Sequence, residues 1–422
     1  MRGFLTFLLI LAVGAATDVV VDNKKLVMIQ ALWRHGDRSP TETFKSDYFQ
    51  ESSWNFGGGG WGQLSPIGMR QHMELGQKIR NRYVDGNPYN FLSNRYQSKE
   101  VYVRSTDINR TLASAFSNML GMYGQDVGSN VADLDYPVVK GWPTGLVPIP
   151  IHTIDDATDH LIDVDNTCPF QDAVWGLSKQ TPQVSAFINR PDVVANFTYL
   201  SQVCGQPIDV DNLWIVYSAL KNRTVMAYGL DLPLTLRKIR SGTLINDMMK
   251  HMALNVKCAG QNTSDCTYSS KLKYFAYSAH DSTIYAFFSG LGVEHFALQP
   301  PGHYPEYSAC IMVELWQDLT TKQNFFKMLF HRNSTDDFSD DITKEVPGCE
   351  NSNGFCDLGV WQGLADAVKP DMEMNQWCQV NPIPSTVSPR PTSVKLSTIS
   401  VQSTTRSAHQ RNFPSIYFFE IV

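Results

Sequence analysis

Three short stretches of this sequence carry the residues best suited to chemistry on an anionic ester. The first is Arg34-His35-Gly36-Asp37-Arg38-Ser39-Pro40; the second ends at Arg104 in Glu100-Val-Tyr-Val-Arg104; the third is Ser278-Ala279-His280-Asp281. Phosphoryl transfer spreads negative charge over three oxygens, so it calls chiefly for positioning and positive charge. Arg34, Arg38 and Arg104 offer planar, permanently charged guanidinium groups that bind phosphate bidentately. A neutral imidazole at His35 can attack phosphorus and hold the phosphoryl group covalently, dividing one hard displacement into two. Asp281 is placed to protonate the leaving oxygen and then to deprotonate water, and His280 to donate to a phosphoryl oxygen. No cofactor is called for. With no Cys-x-x-Cys and no His/Cys cluster at zinc spacing, no metal site is expected.

Position is what lifts these residues above surface turns. Residues 26–33 form a nearly continuous apolar run, suited to a buried strand that delivers Arg34 and His35 at its carboxyl end. Pro66 at a first turn, followed by Met69, Met73, Leu75 and Ile79, predicts a helix to Arg82. A strand over 100–104 leads into a helical run to Met122, and a strand over 274–279 into a helix over 282–291. Strands over 309–316 and 324–331 complete the pattern. Open α/β sheets bind ligands at the carboxyl ends of their strands, where all three stretches fall. The expected fold class is α/β: a three-layer domain with a central mixed sheet flanked by helices, and a smaller, mainly helical inserted domain. The expected boundaries are 17–140 with 260–382 for the α/β domain and 141–259 for the insertion. Asp37 reads as structural, His72 and His152 as satisfied histidines, and Glu42, Asp47 and Glu51 as a solvated loop. Trp54 and Trp61 either wall the pocket or pack.

The chain has 422 residues, 43% hydrophobic and 18% charged, which is ample for a large core. Its formal net charge of -6 gives no general attraction to nucleic acid or anionic membranes, so anion binding must be local. One basic residue, an apolar run from Phe4 to Val13 and the small residues Gly14-Ala15-Ala16 read as a removable leader over residues 1–16. Export to the cell exterior or the lysosomal lumen follows. Eight cysteines suit that route; proximity suggests Cys258 with Cys266 and Cys349 with Cys356, and leaves the others open. Asn196, Asn222, Asn262 and Asn333 head glycosylation sequons; Asn109 does too but is expected to stay bare beside the active site. Residues 383–422, rich in Ser, Thr and Pro, read as a disordered tail, and the terminal apolar stretch is too short to span a membrane.

Arg34-His-Gly-Asp-Arg-Ser-Pro40 with Ser278-Ala-His-Asp281 resembles the histidine acid phosphatases, branch two of the histidine phosphatase superfamily. Val103-Arg-Ser-Thr-Asp-Ile-Asn-Arg-Thr111 and Gly68-Met-Arg-Gln-His-Met-Glu-Leu-Gly76 are similar to further blocks of that family. The resemblance runs from about residue 25 to Cys378 and is nearest the animal prostatic and lysosomal enzymes. It implies His35 as nucleophile, Arg34, Arg38, Arg104 and His280 as phosphate ligands, Asp281 as proton donor, and small phosphomonoesters as substrates. It also implies Cys168–Cys378, Cys204–Cys310 and Cys349–Cys356 disulfides, which leaves Cys258–Cys266 as an extra pair. Homodimers are common in the family, so a homodimer stays open. The runner-up is a phytase or inositol-polyphosphate phosphatase, disfavoured because Thr41 to Trp54 holds one Lys and three acids. A secreted, inactive binding protein is the reading from another class, and it predicts a lost nucleophile or acid.

Overall fold

The computed structural model describes residues 18–86, 89–124, 128–207, 220, 223–261, 263–267, 269, 271–297, 304–338 and 340–382. The leader, the tail, Asn222 and Asn262 lie outside the described residues. The strands are β1 (Val20–Val21), β2 (Lys24–Arg34), β3 (Val101–Ser105), β4 (Met226–Ala227), β5 (Leu230–Asp231), β6 (Tyr274–Ala279), β7 (Cys310–Asp318), β8 (Asn324–His331), β9 (Asp340–Asp341) and β10 (Cys356–Asp357). The helices are α1 (Pro66–Tyr83), α2 (Asn109–Tyr123), α3 (Pro169–Lys179), α4 (Pro182–Ile188), α5 (Pro191–Cys204), α6 (Leu232–Arg240), α7 (Gly242–Cys258), α8 (Asp281–Leu291), α9 (Leu358–Ala367) and α10 (Met374–Trp377).

The main sheet runs in the order β10-β8-β7-β2-β6-β3. β2, β6 and β3 are parallel, while β7, β8 and β10 run antiparallel to their neighbours, so the sheet is mixed. Both faces are covered, which explains why β2 and β6 read as apolar runs rather than as alternating ones. One face packs on α1 and α2 through Trp33, Leu75, Ile79, Met119 and Tyr123. The other packs on α6, α7, α8 and α9 through Leu32, Tyr277, Leu236, Met248, Phe287 and Trp361.

Local signals set the element ends. Ser65 caps α1 by accepting from Gly68 N, and Pro66 fills the first turn, where its missing N–H costs nothing. α8 ends at Gly292, whose left-handed backbone suits glycine.

Helices α6 and α7, at the end of the span 141–259, share the core of β2, β6 and α8. Leu232, Leu236, Leu244, Ile245, Met248 and Met252 are all buried there. No helix among the described residues is long and apolar enough to cross a membrane.

Three of the four expected disulfides are present: Cys168–Cys378, Cys258–Cys266 and Cys349–Cys356. Such bonds persist in oxidising compartments. Cys204 and Cys310 are instead buried free thiols, so that pairing is corrected. A disulfide needs Cα atoms within about 7 Å. Cys310 lies inside the sheet, in register between Trp33 and His331, whereas Cys204 ends α5, where its carbonyl accepts from Ser46 in the loop after the first motif.

Candidate active site

Parallel pairing of β2 with β6 brings the two motifs together. Arg34 is in register with Ala279, and His35 N donates to Ala279 O at 3.0 Å, so His35 and His280 leave adjacent strands side by side. Their rings lie edge to face at a centroid distance of 5.7 Å. Asp281 follows as the first residue of α8.

The loop carrying His35 is held from both sides. Gly36 N donates to Ser114 Oγ of α2, Asp37 N donates to Gln71 Oε1 of α1, and Asp37 O accepts from Ser65 N. Asp37 Oδ2 also accepts from Ser65 Oγ, so Asp37 joins the loop to the cap of α1, as the structural reading expected. Gly36 and Gly68 touch backbone to backbone: a Cβ on Gly36 would lie 2.4 Å from Gly68 O. His72 is packed, with Nε2 donating to Arg34 O, but its buried Nδ1 has no protein partner, so it is only half satisfied. His152 stacks on Tyr102 at 4.3 Å.

His35 is almost completely buried, and its Nδ1 lies 2.8 Å from Gly36 O. A carbonyl only accepts, so Nδ1 carries the proton and Nε2 keeps its lone pair. Burial, then the charges of Arg34, His280, Arg110 and Arg38, hold the ring neutral well below the usual imidazole range. The arrangement delivers an uncharged nucleophile even in acid.

Arg34 and Arg38 both lie close enough for their charges to act on His35. Arg34 pairs with Asp281 at 2.7 Å, donates to Pro305 O, and lies 4.1 Å from the centre of the Tyr307 ring. Arg104 is elsewhere. Its register with Tyr277 turns it onto the α7 face of the sheet, where it donates to the fully buried Asp159 at 2.7 Å. The third guanidinium near His35 is Arg110, in the first turn of α2, with Nη2 3.4 Å from His280 Nδ1. Burial and the charges of Arg38 and Arg34 push Arg110 down to about 10; burial and Arg34 also lower Arg38. The Nε atoms of Arg34, Arg38 and Arg110 are buried with no protein acceptor. Three crowded cations with spare donors are an arrangement that an anion relieves.

His280 has partners at both ring nitrogens. Nδ1 faces Arg110, and Nε2 lies 3.0 Å from Thr106 Oγ1. Burial, then Arg110, pushes His280 down to about 4, so it acts as a neutral ring that orients Arg110. Trp54 sits with Phe49 and Phe56 in an aromatic group on the loop after the motif.

Sequence reasoning missed Arg110, Tyr307 and Thr106. Arg110 had a usable signal: a residue in the first turn of a helix that follows a strand stays at the sheet's carboxyl edge. A strand residue such as Arg104 must face one side of the sheet or the other. Tyr307 had none, because it is brought in by the chain leading into β7.

Four buried histidines make the fold sensitive to acid. Burial pushes His72 to about 3 and His331 and His280 to about 4, and lowers His35 as well. In unfolded chains histidine titrates near 6.5, so from there down to about 4 the unfolded state alone takes up these protons. Stability therefore falls with pH across that window, by up to about 1.4 kcal/mol per pH unit for each such histidine. Denaturant unfolding at pH 6.5, 5.5 and 4.5 is expected to show His331→Leu with a shallower pH slope than the unaltered protein. An unchanged slope would mean that His331 is not held neutral.

The family model described as histidine phosphatase superfamily (branch 2) matches residues 25–233 and 214–331. Prostatic acid phosphatase of Bos taurus is 32% identical over 403 residues, covering 88% of this chain and 92% of that one. Lysosomal acid phosphatase of Xenopus laevis is 29% identical over 400 residues, covering 87% and 81%. Among solved structures, Hafnia alvei phytase in its apo form aligns at TM-score 0.49 and 15% identity, over 86% of this chain and 100% of that one.

Proposed function

Because the chain belongs to branch 2 of the histidine phosphatase superfamily and is a phosphatase, we propose that it hydrolyses small phosphate monoesters through a phosphohistidine on His35. The observation that carries this is the state of His35: neutral, protonated on Nδ1, and beside three guanidinium groups. In the first step His35 Nε2 forms a bond to phosphorus while the ester P–O bond breaks. Arg34, Arg38 and Arg110 take the charge of the phosphoryl oxygens, and Tyr307 and His280 keep Arg34 and Arg110 in place. Phosphate displaces the Asp281 carboxylate from Arg34; Asp281 then takes up a proton from solvent and passes it to the leaving oxygen. In the second step the Asp281 carboxylate takes a proton from water, the water oxygen bonds to phosphorus, and the N–P bond breaks. Inorganic phosphate and free His35 remain.

Rapid quenching with a labelled aryl phosphate is expected to trap one phosphoryl group per chain in an acid-labile, base-stable form. Asp281→Asn is expected to trap it too, while losing kcat/KM on an alkyl phosphate by about 10²-fold or more relative to the aryl ester. If both esters lose equally, Asp281 is not the proton donor.

A further inference from the structure

The Arg104–Asp159 pair lies away from the phosphate pocket yet connects to it. We propose that Asp159, held by Arg104, is a positioning residue that sets the start of α8 and thereby the Asp281 carboxyl. This rests on the reading of Asp281 as proton donor. Asp159 is fully buried, and its Oδ1 accepts from Arg104 Nη2 at 2.7 Å, Leu161 N at 3.1 Å and Ile162 N at 3.3 Å. One carboxylate oxygen thus winds residues 159–162 into a tight turn. The turn aims the Ile162 carbonyl at α8, where it accepts from Thr283 Oγ1 at 2.8 Å. A hydroxyl has a single proton to donate, so Thr283 offers its lone pairs to His280 N, 3.3 Å away. His280 N belongs to the residue that caps α8, and the next residue is Asp281. The same turn is tied on its other side to α7 by Thr243 Oγ1, which donates to His160 O at 2.8 Å.

The chain of contacts runs from Arg104 through Asp159, Ile162 and Thr283 to the helix start. It reaches Asp281 but bypasses His35, Arg34 and Arg38, which arrive on β2 and its loop. Loosening it moves the start of α8 and with it the proton donor, while the His280 ring stays held by Thr106 and Arg110, so the attack on phosphorus is largely retained. An ester with a good leaving group needs little from the donor; an alkyl ester depends on it.

The test compares kcat/KM for glycerol 2-phosphate and p-nitrophenyl phosphate in the full chain, with the phosphohistidine burst measured on the aryl ester. Thr283→Val removes the link. Asp159→Asn removes the charge that holds Arg104 but keeps an acceptor for the two backbone N–H groups. Both are expected to lower the alkyl-to-aryl ratio about tenfold to a hundredfold with the burst retained, and Thr283→Ser is expected to restore it. A ratio unchanged from wild type in both variants overturns the proposal, as does failure of Thr283→Ser to recover it. Should wild type form no phosphohistidine, or Asp281→Asn leave the ratio unaltered, the mechanism above is what fails.

Discussion

Replacing His35 with alanine is expected to lower phosphatase activity by at least about 10⁴-fold and to abolish the trapped phosphoenzyme. The size of the loss follows from what the ring supplies. Gly36 O accepts from Nδ1 and leaves Nε2 as the lone pair, and the surrounding cations keep that pair free of a proton. The neighbouring His280 cannot take over, because both of its nitrogens are engaged by Arg110 and Thr106. The fold should survive, since the loop is held by Gly36 N, Asp37 and Ser65 independently of the ring. Inorganic phosphate should still bind and inhibit, because its arginine ligands remain. Activity above about a tenth of wild type on either an aryl or an alkyl ester would remove His35 from the nucleophile's role.

Arg110→Ala is expected to cost about 10²- to 10³-fold in kcat/KM and to weaken inhibition by inorganic phosphate. Arg104→Ala is expected to behave differently. It strands the buried carboxylate of Asp159, which costs stability on the order of 3–5 kcal/mol, while inhibition by phosphate stays near wild type. The contrast is strong because the two arginines occupy different electrostatic settings. Arg104 is matched by a carboxylate at 2.7 Å, whereas Arg110 is crowded by Arg38 and Arg34 and pushed down to about 10. Arg110→Lys should recover part of the activity, as the charge returns without the fork. Weaker phosphate inhibition in Arg104→Ala, with none in Arg110→Ala, would return Arg104 to the pocket.

Much of the architecture was legible residue by residue. The apolar run before Arg34 became β2, Ser65-Pro66 started α1, and the strand at 274–279 matched its expected bounds. These features depend on local patterning and caps, which neighbouring residues largely decide. The inserted helices were less legible, since α6 and α7 are amphipathic whether they cover a separate core or the sheet. The Cys204–Cys310 pairing failed because matching cysteines does not tell where the end of a helix, here Cys204, lies relative to a strand residue such as Cys310.

The chemistry of the three stretches around His35 was written in the sequence, as motifs at the ends of apolar strands. Which arginine completes the pocket was not. Arg104 and Arg110 sit in the same segment with the same charge, and only the register of β3 against β6 turns Arg104 onto the face shared with Tyr277. That alternation leaves the carboxyl edge to the first turn of α2, and so to Arg110. Strand register is settled by long-range pairing and burial on both faces, so it emerges from the packed sheet and not from any short stretch of chain.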